Sequence, residues 1–171
     1  MGLRFRCMAL NYRVYVAYRM TQSPKISIKP ITEANWEEAA NLRILPEQID
    51  FLTPNVYSIA ESKFHPELVP CAIYAGATMV GFLMYCRDPR DDQYWLYRFM
   101  IDERYQGRGY GKKALLQLIE IIRALPDASE LNVGYDLENH VAANLYKSVG
   151  FIEGNLAPWG ERTAKLTFSD G

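Results

Sequence analysis

The sequence predicts a mixed α/β fold of the α+β class, and two features of its hydrophobic pattern support this prediction. Several short segments alternate apolar with polar residues or are apolar throughout, which is typical of strands. Two later segments place apolar residues at helical spacing, so that they share one helix face. With 171 residues, 49% of them hydrophobic and 23% charged, the chain is long enough for one domain with a sizeable core.

The first part of the predicted domain contains one strand and several short helices. Residues 26–31 alternate apolar and polar side chains and are expected to form the first strand. Thr32 is a candidate N-cap for the helix that follows, because acidic residues stand near the start of that helix. After an interruption at Pro46, residues 47–63 are expected to form one or two further short helices.

The middle of the chain predicts an antiparallel hairpin followed by another strand. Residues 71–75 and 79–86 are apolar runs separated by a tight turn around Gly76. A polar segment follows, and residues 94–101 are then strongly β-prone. The hairpin argues against a dinucleotide-binding fold, because such a fold is built from consecutive parallel β-α-β units.

Two helices and three strands complete the predicted pattern. The first helix carries four apolar residues on one face: Leu115, Leu118, Ile119 and Ile122. Residues 131–135 form a strand, Asn139 is a candidate N-cap for the second helix, and Gly150 ends that helix. Residues 151–154 and 163–168 are expected to be the final strands.

The predicted domain spans residues 26–168, and residues 1–25 are expected to be an extension that is flexible or non-native. This segment is basic, with no acidic residue before Glu33. Arg13 and Arg19 interrupt the apolar run that a signal peptide requires. We expect native translation to start at Met20; a basic surface arm or organelle-targeting arm is the alternative interpretation.

Charge, cysteine and histidine usage narrow the possible partners. A net charge of −1 provides no basic excess for nucleic acid, and no apolar run approaches the ~20 residues that span a bilayer. We therefore expect neither nucleic acid nor a membrane as a partner. Three scattered cysteines and two histidines have no metal-ligand spacing, so no metal is expected. Unpaired cysteines are typical of the reducing cytoplasm.

A glycine-rich turn at residues 106–111, Gln-Gly-Arg-Gly-Tyr-Gly, connects the strand at 94–101 to a helix. Glycines allow backbone N–H groups to approach an anion, and the helix N-terminus adds partial positive charge. Nearby basic side chains increase that charge: Arg104, Arg108, Lys112 and Lys113. The turn therefore predicts a diphosphate site, although its spacing meets neither the dinucleotide fingerprint nor the P-loop motif.

Two segments resemble the GNAT superfamily of N-acetyltransferases. The turn at residues 106–111 is similar to the family's Q/R-x-x-G-x-G/A turn, and residues 139–151 match its pattern N-x-x-A-x-x-L-Y-x-x-x-G-F. The resemblance implies a central twisted mixed sheet of about six to seven strands flanked by about four helices. It also implies acetyl-CoA as co-substrate, with the turn binding its pyrophosphate and the preceding strand pairing with the pantetheine arm.

The same resemblance assigns roles to individual residues. The cofactor-binding residues that it implies are Phe99, Met100, Ile101, Gln106, Gly107, Arg108, Gly109, Tyr110, Gly111, Lys112, Asn139, Asn144 and Tyr146. Backbone groups around Phe99 and Met100 would stabilise the oxyanion, and the Tyr146 hydroxyl would protonate the departing thiolate as the catalytic acid. Tyr146 also lies on an apolar helix face, so a packing role is its alternative. A relay through Cys86 is a weaker mechanism, because no histidine accompanies it.

The predicted acceptor is a small-molecule primary amine, with a polyamine such as spermidine or spermine favoured. Residues 45–51 and 94–102 resemble the bacterial spermine/spermidine acetyltransferases. Carboxylates would bind the remote ammonium groups of such a substrate, and aromatic rings would contact its methylenes. The candidate substrate-binding residues are Glu47, Asp50, Glu61 and Tyr97.

Other functions stay open at this point. The acceptor could instead be a protein N-terminus, a protein lysine or an aminoglycoside, and the chain could be a CoA-binding protein without catalytic activity. Because GNAT proteins commonly dimerise, the resemblance also implies a homodimer.

Overall fold

The structure is a computed structural model that describes residues 24–168. Its strands are β1 (Ile26–Pro30), β2 (Val69–Ala75), β3 (Thr78–Arg87), β4 (Tyr94–Ile101), β5 (Glu130–Tyr135), β6 (Ile152–Leu156) and β7 (Arg162–Thr167). The α-helices in this part of the chain are α1 (Trp36–Ala40), α2 (Asn55–Glu61), α3 (Tyr110–Arg123) and α4 (His140–Lys147), and 3₁₀ segments lie at Pro46–Phe51 and Glu103–Tyr105. Most of the expected extension, residues 1–25, lies outside the described residues.

The seven described strands form one mixed sheet in the order β1-β2-β3-β4-β5-β7-β6. Strands β1 to β4 pair antiparallel in sequence order, β4 and β5 pair in parallel, and β7 returns antiparallel between β5 and β6. The predicted hairpin is confirmed, and Gly76 turns it with a positive φ of 64°. The predicted α+β class and its mixed sheet are therefore confirmed.

The predicted N-cap at Thr32 is wrong, because the first helix begins only at Trp36. The Asn35 side chain determines this later start. Its Oδ1 accepts a hydrogen bond from the Thr32 amide at 2.7 Å, and its Nδ2 donates to the Pro30 carbonyl at 3.1 Å. These local bonds hold residues 32–35 in a turn that precedes the helix.

The sheet is covered on both faces. Helix α3 packs on one face, where Leu115, Leu118 and Ile122 are fully buried together with Leu83 and Val133. Helices α1 and α2 cover the other face with residues of a second cluster that includes Ala39, Ile59, Phe82, Met84 and Met100. Burying such a side chain contributes about 1.5–3 kcal/mol, so both layers stabilise the sheet between them.

Strands β4 and β5 separate along their length. Their parallel pairing covers only residues 94–96 of β4 and 131–133 of β5, although β4 continues to Ile101. A bulge accompanies the separation, because Arg98 pairs with Met84 and Leu96 pairs with Tyr85, which leaves Tyr97 without a partner on β3. Bulges bend the strand that carries the extra residue. The second half of β4 therefore has one edge without a partner strand.

The alternation of the backbone identifies the groups at this open edge. The Asp102 amide donates to the Val80 carbonyl of β3 at 2.9 Å. Successive residues of a strand direct their N–H and C=O groups to opposite sides. Met100 therefore directs its backbone groups to β3, whereas Phe99 and Ile101 direct theirs to the open side.

Asp102 fixes the loop that follows β4. It is completely buried, and its carboxylate accepts hydrogen bonds from the Arg43 amide at 3.0 Å and from the Arg104 side chain at 2.7 Å. Burial alone would raise the pKa of Asp102, but the hydrogen bonds from Arg104 and from the two backbone amides outweigh it and lower the pKa. The carboxylate thus ties the end of β4 to the segment after α1.

Replacing Asp102 with Asn is expected to destabilise the protein by about 2 kcal/mol, because hydrogen bonds to a charged partner contribute about 1.5–3 kcal/mol each. The fall in Tm should be roughly 4–8 °C for a chain of this size, measured by circular dichroism. The folded-state pKa of Asp102 lies below its ordinary value of 3.8, so its stabilisation is fully present above that value and is lost as the pH falls through the folded-state pKa.

The Tm difference between wild type and Asp102→Asn should therefore hold at neutral pH and shrink below about pH 4. Glu33→Gln, at an exposed position, is the control and should change stability by less than about 0.5 kcal/mol. A Tm equal to that of wild type at pH 7 would contradict the anchoring role of Asp102.

Candidate active site

A pocket of about 380 Å³ lies where β4 and β5 separate. Its walls come from the second half of β4, the end of β5, the N-terminal turn of α3, helix α4 and the 3₁₀ segment Pro46–Phe51. The pocket therefore contains the open edge of β4, including the backbone groups of Phe99 and Ile101.

The glycine-rich turn forms one end of this pocket. Gly107 and Gly109 have positive φ angles of 72° and 75°, a backbone conformation that strongly favours glycine. Helix α3 starts immediately afterwards, and its first helical hydrogen bond runs from the Lys113 amide to the Gly109 carbonyl. The amides of residues 110–112 therefore have no acceptor inside the helix, and a helix N-terminus of this kind binds anions.

Basic side chains surround the turn. Lys112 lines the pocket, and its Nζ donates to the Ser148 carbonyl at 3.1 Å. Arg108 is exposed, lies over the Tyr105 ring at 5.7 Å, and donates to the Arg104 carbonyl. Both cations favour a negatively charged group at the turn.

Gln106 holds the turn against its neighbours. Its Nε2 donates to the Ile101 carbonyl at 2.8 Å and to Gln48 Oε1 at 2.8 Å. These bonds join the turn to the end of β4 and to the 3₁₀ segment. The Gln106 side chain therefore positions the turn, and its predicted contact with the cofactor stays a prediction.

Tyr146 projects from α4 into the apolar layer beneath the pocket. It is only 6% exposed, and its ring packs against Tyr135 and Phe151 with centroid distances of 5.6 and 5.5 Å. Burial raises the pKa of its hydroxyl, and the negative charge of Glu161 raises it further. The phenol therefore stays protonated at neutral pH and can donate a proton but not accept one. Packing and proton donation are compatible roles for this residue.

Asn139 caps α4, as the sequence predicts. Its Oδ1 accepts a hydrogen bond from the Ala142 amide at 3.0 Å, and the side chain also borders the pocket. The cap orients the first turn of the helix that carries Tyr146.

The structure brings most of the predicted site residues to the pocket. Those that line it are Tyr97, Phe99, Met100, Ile101, Gln106, Gly107, Gly109, Tyr110, Gly111, Lys112, Asn139 and Tyr146. Arg108 and Asn144 are exposed outside it, as are Glu47 and Asp50 on the 3₁₀ segment. Their predicted contacts with cofactor or substrate stay predictions.

Glu61 lies in a neighbouring groove rather than in the pocket. Its carboxylate is 3.7 Å from the Arg98 guanidinium, and both side chains are largely buried. Because this pair neutralises the acid, a cationic substrate would have to compete with Arg98 for Glu61.

Two acidic residues that the sequence does not predict as site residues line the pocket, Asp136 after β5 and Glu161 before β7. Neither belongs to a recognisable motif. Glu161 reaches the pocket only because β7 pairs with β5, and this pairing leaves no local signal in the sequence.

The two cysteine thiols among the described residues do not line the pocket. Cys71 and Cys86 are buried and unpaired. Burial raises the pKa of each thiol to about 11, so neither forms the thiolate that a cysteine relay requires. Residues 24–168 contain no cluster of three metal-ligating side chains.

No helix among the described residues has both the length and the hydropathy needed to cross a bilayer.

The fold is that of known acetyltransferases, and comparisons with known proteins give the family. The model of the acetyltransferase (GNAT) family matches residues 35–151. The spermine/spermidine N(1)-acetyltransferase of Bacillus subtilis (strain 168) is 32% identical over 144 residues, which covers 80% of this chain and 95% of that protein. The chain therefore belongs to the GNAT family of acetyltransferases, and the predicted acyltransferase activity is confirmed.

Solved structures show the same fold at low sequence identity. Spermidine N-acetyltransferase from Vibrio cholerae, in complex with CoA and spermine, superposes with a TM-score of 0.68 at 10% identity, covering 84% of this chain and 95% of that one. RimL, a ribosomal L7/L12 alpha-N-protein acetyltransferase in complex with CoA, gives a TM-score of 0.68 at 13% identity, covering 84% and 94%. Because one fold serves such different acceptors, the acceptor has to be argued from the site.

Proposed function

We propose that this protein is an acetyl-CoA-dependent N-acetyltransferase that acetylates a primary amine, with a polyamine as acceptor, by direct attack in a ternary complex. The observation that carries the proposal is the pocket itself. It joins an anion-binding turn, an open strand edge, a protonated tyrosine and two carboxylates in one space.

The turn fits the diphosphate of acetyl-CoA. Three unpaired amides at the start of α3 would donate to phosphate oxygens, and Lys112 would contribute positive charge. The glycine backbone adds no side chain that would obstruct them, since a Cβ on Gly107 or Gly109 would point into open space. The Phe99 backbone groups and the Ile101 amide are available to the amide groups of the pantetheine arm, whereas the Ile101 carbonyl already accepts a hydrogen bond from Gln106.

Each protein group has a defined task in this reaction, for which acetyl-CoA supplies an activated thioester. The acceptor nitrogen attacks the carbonyl carbon, and negative charge develops on the carbonyl oxygen. The Phe99 amide, which alternation directs to the open side, would stabilise that charge. As the carbon–sulfur bond breaks, the Tyr146 hydroxyl would donate its proton to the departing sulfur.

A polyamine acceptor is supported by the function of the relative that is 32% identical and by the charges of the pocket. Asp136 and Glu161 place negative charge in it, and Trp95 and Trp159 form an aromatic pair beside Glu161 with centroids 6.4 Å apart. Carboxylates bind ammonium groups, and aromatic rings attract cations and cover methylenes. A homodimer and a cytoplasmic location stay predictions from the sequence.

Replacing Gly109 with Val should abolish acetyl-CoA binding measured by calorimetry. A valine is strained at a φ of 75°, so the turn must rearrange and its amides move. Gly76→Val is the matched control, because Gly76 has a similar φ of 64° in the β2–β3 hairpin, away from the pocket. Unchanged affinity in Gly109→Val, or equal loss in both folded variants, would remove the turn from the cofactor site.

Replacing Tyr146 with Phe should lower kcat by roughly 10²–10⁴-fold, the usual contribution of a general acid. The affinity for CoA should change little, because phenylalanine preserves the ring packing against Tyr135 and Phe151. Tyr85→Phe, in which a half-buried tyrosine outside the pocket loses its hydroxyl, should retain the wild-type rate. A wild-type kcat in Tyr146→Phe would leave this residue a packing role alone.

An acceptor screen that measures CoA release tests the substrate class. Spermidine or spermine should give a higher kcat/KM than lysine peptides, N-terminal peptides or aminoglycosides. Turnover of a peptide with no turnover of polyamines would contradict the polyamine assignment while preserving acetyl transfer. Absence of turnover with every amine, despite CoA binding, would contradict the enzymatic proposal.

A further inference from the structure

Glu161 is a pocket carboxylate whose position suggests a role in the reaction. It lies just before β7, and its side chain sits over Gly134 of β5, where a Cβ would be only 2.5 Å from Glu161 Oε2. Leu131, Val133 and Tyr135 belong to the core layer beneath α3. Because side chains alternate along a strand, Gly134 faces the opposite side of the sheet. Glu161 therefore lies on the face opposite to α3.

Tyr146 reaches the pocket from the other face of the sheet. It projects from α4 and belongs to the same core layer as Tyr135 and α3. Glu161 and Tyr146 thus border one pocket from opposite sides of the gap between β4 and β5. A thioester in this gap would have the phenol on one side and the carboxylate on the other. This arrangement separates the group that donates a proton from a group that could accept one.

One oxygen of Glu161 is fixed and the other is available. The Trp159 indole N–H donates to Oε2 at 2.8 Å, and Trp159 packs edge-on against Trp95. The Trp95 indole in turn donates to Asp91 at 3.0 Å. Among residues 24–168, the only hydrogen bond to this carboxylate is the one from Trp159 to Oε2, so Oε1 accepts none. The carboxylate is therefore oriented, with one oxygen free to accept a proton.

The other acidic residues near the pocket are less suited to accept a proton. Asp136 is exposed, and its Oδ1 already accepts the Glu138 amide at 2.8 Å. Glu61 lies in the neighbouring groove beside Arg98. The charge of Glu161 also contributes, after burial, to the raised pKa of Tyr146, which places the carboxylate within electrostatic reach of the phenol.

We propose that Glu161 is the general base of the transfer, a role that rests on the proposed acetyltransferase function. The nitrogen–carbon bond forms as the neutral amine attacks, and the proton that the nitrogen then loses passes to Glu161 Oε1. The carbon–sulfur bond breaks, and the sulfur takes the proton of Tyr146. Proton transfer from Glu161 to Tyr146 through solvent restores both groups, so that amine and thioester become amide and thiol.

Gly134 is required for this geometry. A Cβ at position 134 would displace the end of a flexible glutamate side chain rather than backbone, so Gly134→Ala should fold while the carboxylate moves. Gly154 provides a matched control on β6. A Cβ there would approach the Thr163 hydroxyl to 2.8 Å, which is a comparable clash outside the pocket.

The test measures kcat and KM of Glu161→Gln with the best acceptor of the wild-type enzyme. Glutamine preserves the size of the side chain and an acceptor for Trp159, but it cannot take the proton. We expect kcat to fall by roughly 10²-fold, with acetyl-CoA affinity and Tm near the wild-type values. Glu138→Gln, at an exposed acid that lies in sequence between the pocket residues Asp136 and Asn139 but does not line the pocket, should keep the wild-type kcat.

A double-mutant cycle distinguishes displacement of the Glu161 carboxylate from an unspecific effect of the Gly134→Ala substitution on kcat. Gly134→Ala should lower kcat, Gly154→Ala should not, and Gly134→Ala combined with Glu161→Gln should be no slower than Glu161→Gln alone. If the two single substitutions lower kcat additively in the double variant, the proposal is contradicted. A wild-type kcat in Glu161→Gln, with or without a raised KM, would also contradict it. If the wild-type protein acetylates no amine, the proposed function is contradicted together with the role of Glu161. If the wild type is active and Glu161→Gln is equally active, only the role of Glu161 is contradicted.

Discussion

The early end of pairing between β4 and β5 is the constraint on which the site depends. The pairing stops after Leu96 and Val133, and a bulge at Tyr97, the kind of irregularity that bends a strand, follows at once. Backbone N–H and C=O groups lose a large part of their hydrogen-bond energy when they have no partner. Gln106 satisfies the Ile101 carbonyl, so the remaining groups of the open edge, those of Phe99 and the Ile101 amide, need solvent or a ligand with amide groups as their partner.

The remaining elements arrange charge around this opening. The start of α3 contributes free amides and partial positive charge at one end, and Asp102 and Gln106 fix the turn that presents them. Glu161 contributes negative charge on the opposite face of the sheet. An anionic cofactor and a cationic acceptor would thus be drawn to different sides of one gap, which separates their binding sites without a second pocket.

Local sequence patterns predicted most of the fold and most of the residues that line one end of the pocket. Leu115, Leu118, Ile119 and Ile122 are all buried on one face of α3, and the Asn139 cap forms as expected, because both depend on residues a few positions apart. The features that local patterns did not predict depend on distant elements or on competing hydrogen bonds. Glu161 reaches the pocket through the pairing of β7 with β5, and the charge of Glu61 is neutralised by Arg98 from another element. Before α1, the Asn35 side chain forms the hydrogen bonds that hold the backbone in a turn, so the helix does not begin at Thr32.

The most direct test of this account is a crystal structure of the protein in complex with acetyl-CoA. We expect the diphosphate oxygens within hydrogen-bonding distance of the amides of residues 107–112. We also expect the pantetheine amides along the open edge of β4 and the acetyl carbonyl oxygen near the Phe99 amide. A cofactor bound outside the gap, or a gap closed by pairing of β4 with β5 beyond Leu96, would contradict it.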